Sequence, residues 1–125
     1  MQRRLRGFTL IELLVVMAIL GALLSIAAPR YFQSMSRAKE AALRTNLRLM
    51  REAIDHYRAD TGQLPETLQT LADAKYLRSV PLDPVAESVN RWVVSPHPDG
   101  ATAGVYDVHS GAEGLSHDGT AYTTW

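Results

Sequence analysis

Residues 7–28 read GFTLIELLVVMAILGALLSIAA and follow directly on the basic hexapeptide MQRRLR. From Phe8 to Ala28 every residue is apolar or small except Thr9, Glu12 and Ser25. At about 1.5 Å per residue, a helix of that length covers about 30 Å, the hydrocarbon thickness of a bilayer. Arg3, Arg4 and Arg6 on one flank put the N-terminus on the cytoplasmic side and everything after the helix on the far side. Glu12 stands only one turn into this helix. A carboxylate on a lone membrane helix costs about 2.5–3.5 kcal/mol even on the gentler insertion scales. Such a residue normally has a partner, and a single-span chain must find it on another molecule.

The run Gly7-Phe8-Thr9-Leu10-Ile11-Glu12 resembles the processing signal of type IV prepilins and of the pseudopilins of type II secretion. The resemblance implies that residues 1–7 are a cleaved leader, cut between Gly7 and Phe8 by a prepilin peptidase, with N-methylation of the new terminal Phe8. It implies further that Glu12 pairs with the terminal amine of a neighbouring subunit during assembly. Pro29 resembles the proline these proteins carry where the hydrophobic half of the helix ends. Two plainer readings fit less well. A secretory signal peptide has an apolar region of about 7–15 residues and no acid within it, and a simple anchor has no use for the glutamate.

The whole chain of 125 residues has 13 Lys/Arg against 13 Asp/Glu. Removing the three leader arginines leaves 10 basic against 13 acidic residues, a balance of −3. That is not the balance of a dedicated nucleic-acid binder. Cysteine is absent, although a domain outside the cytoplasm is free to form disulfides. A soluble portion of about 95 residues is therefore held by its core, by neighbouring subunits or by a bound ion.

After the transmembrane and assembly helix of residues 8–29, the chain turns amphipathic over residues 30–61. Met35, Ala42, Leu43, Leu47, Met50, Ile54 and Tyr57 recur at three- and four-residue spacing and predict one buried stripe. Gly62 is a stop signal. A helix over residues 8–60 would be about 80 Å long, too long for so small a domain to cover; its first half needs lipid or other copies. Pro29 predicts a kink or a loosened turn. Arg37, Arg44, Arg51 and Arg58 recur every seven residues. This stripe suggests either phosphate contact, as in a DNA-uptake pilin, or a solvated face paired internally as Glu40–Arg44, Arg48–Glu52 and Arg51–Asp55. The interleaved acids favour the second.

Residues 64–90 predict a short helix opening at Pro65, with Leu68, Leu71 and Ala72 inward, then Tyr76 and Leu77 beneath it and a rigid extended Val80-Pro81-Leu82-Asp83-Pro84 loop. Residues 91–125 hold three strand candidates, 91–95, 105–109 and 121–125, the first two joined by the turn-rich PHPDGATAG. The predicted fold is α+β: a long N-terminal helix packed on a small antiparallel sheet, a pilin-like lollipop with its domain at residues 30–125. The order Tyr76-Leu77, Val80-Pro81, Asp83-Pro84 and YDVHSG before a glycine-rich acidic loop is similar to the major pseudopilin of type II secretion.

That resemblance implies calcium in the loop SGAEGLSHDG, residues 110–119. The candidate ligands are Ser110, Glu113 and Asp118, although Glu113-Gly114 stands where the family has Asp-Gly and Asp118 replaces a pair of acids. A plain polar loop is the alternative. His109 and His117 flank the loop without the spacing of a transition-metal site. Ser110, His109 and Asp107 cannot form a nucleophile–base relay, because neighbours on a strand face opposite ways. No enzyme is expected. The resemblance implies a subunit of a periplasmic pseudopilus, anchored in the inner membrane with its C-terminal domain in the periplasm. Its partners would be copies of itself, other pseudopilins and an inner-membrane assembly platform with its ATPase. The alternatives are a type IV or minor pilin for adhesion, motility or DNA uptake, and a membrane-anchored periplasmic binding domain.

Overall fold

A computed structural model describes residues 6–125; Arg3 and Arg4 lie outside the described residues. The elements in order are helix α1 (Leu10–Thr61), helix α2 (Leu68–Asp73), strands β1 (Trp92–Ser95) and β2 (Asp107–Ser110), and a 3-10 helix at Tyr122–Thr124. The architecture is α+β. The chain divides into two compact units, Met1–Met35 and Ser36–Trp125.

In the first unit the described residues are exposed throughout, and α1 is long and apolar enough there to cross a membrane by length and composition. The run of exposed Leu, Ile, Val and Met side chains from Leu10 to Ile26 has nothing within its own unit to cover it. Ser25 fits among them because its hydroxyl donates to the Gly21 carbonyl at 2.8 Å, which satisfies the one polar group of that turn. Pro29 lies inside α1 without ending it, as the single long helix read from the sequence requires.

In the second unit the continuation of α1 buries Leu43, Leu47, Met50, Ala53 and Ile54. Each of the larger side chains contributes about 1.5–3 kcal/mol by leaving water. The stripe is narrower than its periodicity predicts, since Met35 and Ala42 are exposed, and Ala53 joins it instead. Gly62 follows α1 at φ 74°, and its N–H caps the Arg58 carbonyl at 2.8 Å. Short helix α2 begins at Leu68 behind the N-cap Thr67, not at Pro65: the Thr67 and Thr70 side chains each accept the other's backbone N–H in a capping box. Pro65 is fully buried ahead of it and accepts the Val105 N–H at 2.8 Å through its carbonyl. Leu68 and Leu71 face inward, with Tyr76 and Leu77 partly buried against the same core.

Strands β1 and β2 pair antiparallel, Trp92 opposite Ser110 and Ser95 opposite Asp107. The predicted third strand at 121–125 is instead a 3-10 helix preceded by a single bridge, Leu115 to Ala121. The chain there turns back on itself within the Ser116–Thr120 hydrogen bonds, which leaves too little extended length for a ladder. Val108 is buried, whereas Val93 and Val94 are exposed, so β2 carries the sheet's contribution to the core. The close approach of two backbones fixes one glycine: a Cβ on Gly111 would lie 2.0 Å from the Arg91 carbonyl oxygen.

Candidate functional site

The N-terminal site is built on the start of α1. Gly7, Phe8 and Thr9 precede the helix without regular structure, and Phe8 is 91% exposed. A Cβ on Gly7 would meet nothing within 4 Å, so the fold itself makes no demand for glycine there. Any such demand comes from a partner that handles the segment. Glu12 lies in the helix's first turn and its Oε2 accepts the Thr9 N–H at 2.9 Å. In return the Thr9 hydroxyl accepts the Glu12 N–H at 3.3 Å. Thr9-x-x-Glu12 is thus a capping box, the carboxylate set at the positive end of the helix dipole. Glu12 therefore has a local partner besides any on another molecule, and the T-x-x-E spacing of the sequence carries the signal for it.

The arginine stripe finds its partners across the second unit. The Arg44 guanidinium donates to Asp118 Oδ2 at 3.0 Å and lies 4.0 Å from the centre of the Trp125 ring. Arg51 donates to Asp107 Oδ1 and to the Val108 carbonyl, both at 2.8 Å, which ties α1 to β2. Arg37 approaches His117 Nε2 at 3.0 Å. Of the three predicted i,i+4 pairs, Arg48–Glu52 forms at 3.9 Å. Arg44 and Arg51 turn instead to acids distant in sequence, and Glu40 accepts the His117 N–H and the Tyr122 hydroxyl, both at 2.8 Å. Burial and that bond push the Tyr122 phenol up to about 12. Lys39 pairs with Glu87, holding its carboxyl below the usual range.

The three candidate calcium ligands have different partners. Ser110 is buried, its hydroxyl donating to Asp83 Oδ2 at 2.5 Å, and Asp83, also fully buried, accepts the Val85 and Ala86 N–H groups at 2.9 Å. Glu113 is exposed and stands 3.9 Å from Arg91. Asp118 Oδ1 takes the Ser116 and Thr120 hydroxyls and the Thr120 N–H, which, with Arg44 on its other oxygen, holds its carboxyl well below the ordinary value. Among the described residues no group of three His, Cys, Asp or Glu side chains comes together. So arranged, the three do not fit the six to eight converging oxygens that calcium takes. Asp107 and His109 share the outer face of β2, 3.5 Å apart, while Ser110 points inward, as strand geometry requires.

An apolar membrane-length helix behind an exposed Gly-Phe junction, continued amphipathically into a small α+β domain, defines a pilin-like subunit. Residues 2–28 match the family model described as the prokaryotic N-terminal methylation motif. Beyond the motif, the chain is 32% identical over 132 residues to the type II secretion system core protein G of Pseudomonas aeruginosa, covering 91% of this chain and 89% of the relative. With the core protein G of Dickeya chrysanthemi the identity is also 32%, over 84 residues, and the chain spans about half of that relative, 55%, with 67% of its own length. The type IV major pilin PilA of Myxococcus xanthus is 47% identical over 47 residues, 38% of this chain and 21% of the pilin. No solved structure matches the chain significantly. The chain belongs to the family of type II secretion system core protein G.

Proposed function

We infer that this chain is a structural subunit of a type II secretion pseudopilus. The observation that carries this is the match over nine-tenths of both chains to a core protein G, which includes the small domain as well as the membrane helix. Prepilin peptidase cuts between Gly7 and Phe8, in a segment that is exposed and unstructured, and Phe8 is then N-methylated. The precursor sits in the inner membrane through residues 8–28, with its C-terminal domain in the periplasm. On assembly the helices leave the bilayer and bundle with those of other subunits. A carboxylate and an ammonium enter that apolar core at tolerable cost only as a pair. Glu12 therefore exchanges the Thr9 N–H for the Phe8 ammonium of a neighbour, and Pro29 marks where the packed apolar half ends. The driving energy comes from the ATPase of the assembly platform, and filament growth moves folded proteins through the outer membrane.

Glu12→Val tests the mechanism. The variant is expected to be cleaved and to remain in the membrane, with no filament by crosslinking or microscopy; normal filaments would rule the pairing out. The likeness to PilA supports a second reading as a type IV pilin subunit. Cells lacking the chain separate the two. Loss of secreted proteins with motility and DNA uptake intact supports the pseudopilus, and the reverse outcome supports the pilin.

A further inference from the structure

We propose that the C-terminal loop of this chain is closed by Arg44 and Glu40 of α1 in place of a bound divalent cation. The two side chains stand one helical turn apart and both hold the segment of residues 117–122. Glu40 holds the His117 N–H at 2.8 Å and, with the same oxygen, the Tyr122 hydroxyl. Arg44 holds Asp118 Oδ2 at 3.0 Å and spreads over the Trp125 ring. Trp125 is fixed in turn by its indole N–H on Thr120 Oγ1 at 2.8 Å and by the edge of the Tyr122 ring, centroids 5.3 Å apart. The guanidinium thus stands where a cation would neutralise Asp118, and its planar face stacks on an aromatic ring, which an ammonium or a metal ion cannot do equally.

The chemistry argues against a second cation at the same place. Three donors crowd Asp118 Oδ1, and the guanidinium holds Oδ2. A guanidinium cannot lose its proton to make room, and a divalent ion beside it would be repelled at close range. The Ser110 oxygen, for its part, is turned to Asp83. The small domain therefore needs no calcium to order its last residues, a property independent of the filament to which the chain contributes.

The test is thermal unfolding of the full-length chain in detergent micelles, followed by tryptophan fluorescence in EDTA and in millimolar calcium. The wild-type midpoint is expected to be the same in both. Arg44→Gln is expected to lower it by about 5 °C, and Arg58→Gln, on the same helix away from the loop, to leave it in place. Adding Asp118→Asn to Arg44→Gln should cost less than the sum of the two single changes, because both lose the one Arg44–Asp118 contact; strict additivity would count against the clamp. A calcium-dependent rise of about 5 °C in the wild type, or equal midpoints for Arg44→Gln and Arg58→Gln, would overturn the proposal. Should Arg44→Gln not fold, Arg44→Lys replaces it: retained charge without the fork and the stacked face is expected to lower the midpoint, and a wild-type midpoint would count against the clamp.

Discussion

Glu12 looks costly only while its surroundings are ignored. A carboxylate near the start of a membrane helix meets free N–H groups and the positive end of the dipole, and the Thr9 N–H at 2.9 Å is one of them. The single chain thus holds Glu12 without a second molecule. Thr9→Val removes the hydroxyl half of the box and should cost the helix start about 1 kcal/mol. Amide exchange of residues 11–13 in micelles should accelerate about fivefold while membrane insertion is unchanged. Thr9→Ser should restore the wild-type rate; no change in Thr9→Val would mean the box holds nothing. In the second unit the buried acid Asp83 has its partners close by: two backbone N–H groups and the Ser110 hydroxyl join the proline-rich loop to the end of β2.

Among the elements, α1 was the most legible. Its apolar run, its arginines and its buried stripe repeat at helical spacing, and Gly62 marks its end. The start of α2 follows the capping residues Thr67 and Thr70, whose hydrogen bonds decide it, and not the proline signal at Pro65. The sheet is smaller than its β-branched residues suggest. Only four residues of each strand pair, since the connection from residue 111 runs hard against the Arg91 backbone. Gly111→Ala should therefore destabilise the domain by about 3 kcal/mol, the cost of forcing backbones apart. Urea unfolding should show a lower midpoint at unchanged slope; a wild-type midpoint would mean that the two segments separate freely.

For the molecule as a whole, the two units solve opposite problems. Residues 8–35 display apolar surface that water cannot accommodate, and a bilayer or a bundle of like helices must cover it. From Ser36 onward the chain builds a core around Leu43, Met50, Ile54, Leu71 and Val108 and anchors its last residues to α1 through polar contacts. Those contacts predict a limit on the alkaline side. The Tyr122 phenol is raised to about 12, and Tyr76, whose hydroxyl donates to Asp60 at 2.8 Å, is raised as well. The folded protein keeps protons that the unfolded chain gives up above about pH 10. Stability is complete below that pH and falls as pH rises towards 12. Unfolding midpoints across this range should fall, and Tyr122→Phe should flatten the decline. An unchanged slope in that variant would place the effect elsewhere.

The long apolar helix, the methylation motif at its start and the α+β class were all readable from the sequence alone, because each rests on a local property: hydropathy over one stretch, or spacing along one helix or strand. The partners of the charged residues were not. Arg44 and Arg51 had acids within one helical turn or nearby in sequence, and spacing could not show that Asp118 and Asp107, dozens of residues away, would be closer. Nor could it show that Ser110 would turn inward to Asp83. Those choices were made when the core brought α1, β2 and the last loop together, for the packing of distant segments decides which of several equally charged neighbours a side chain meets.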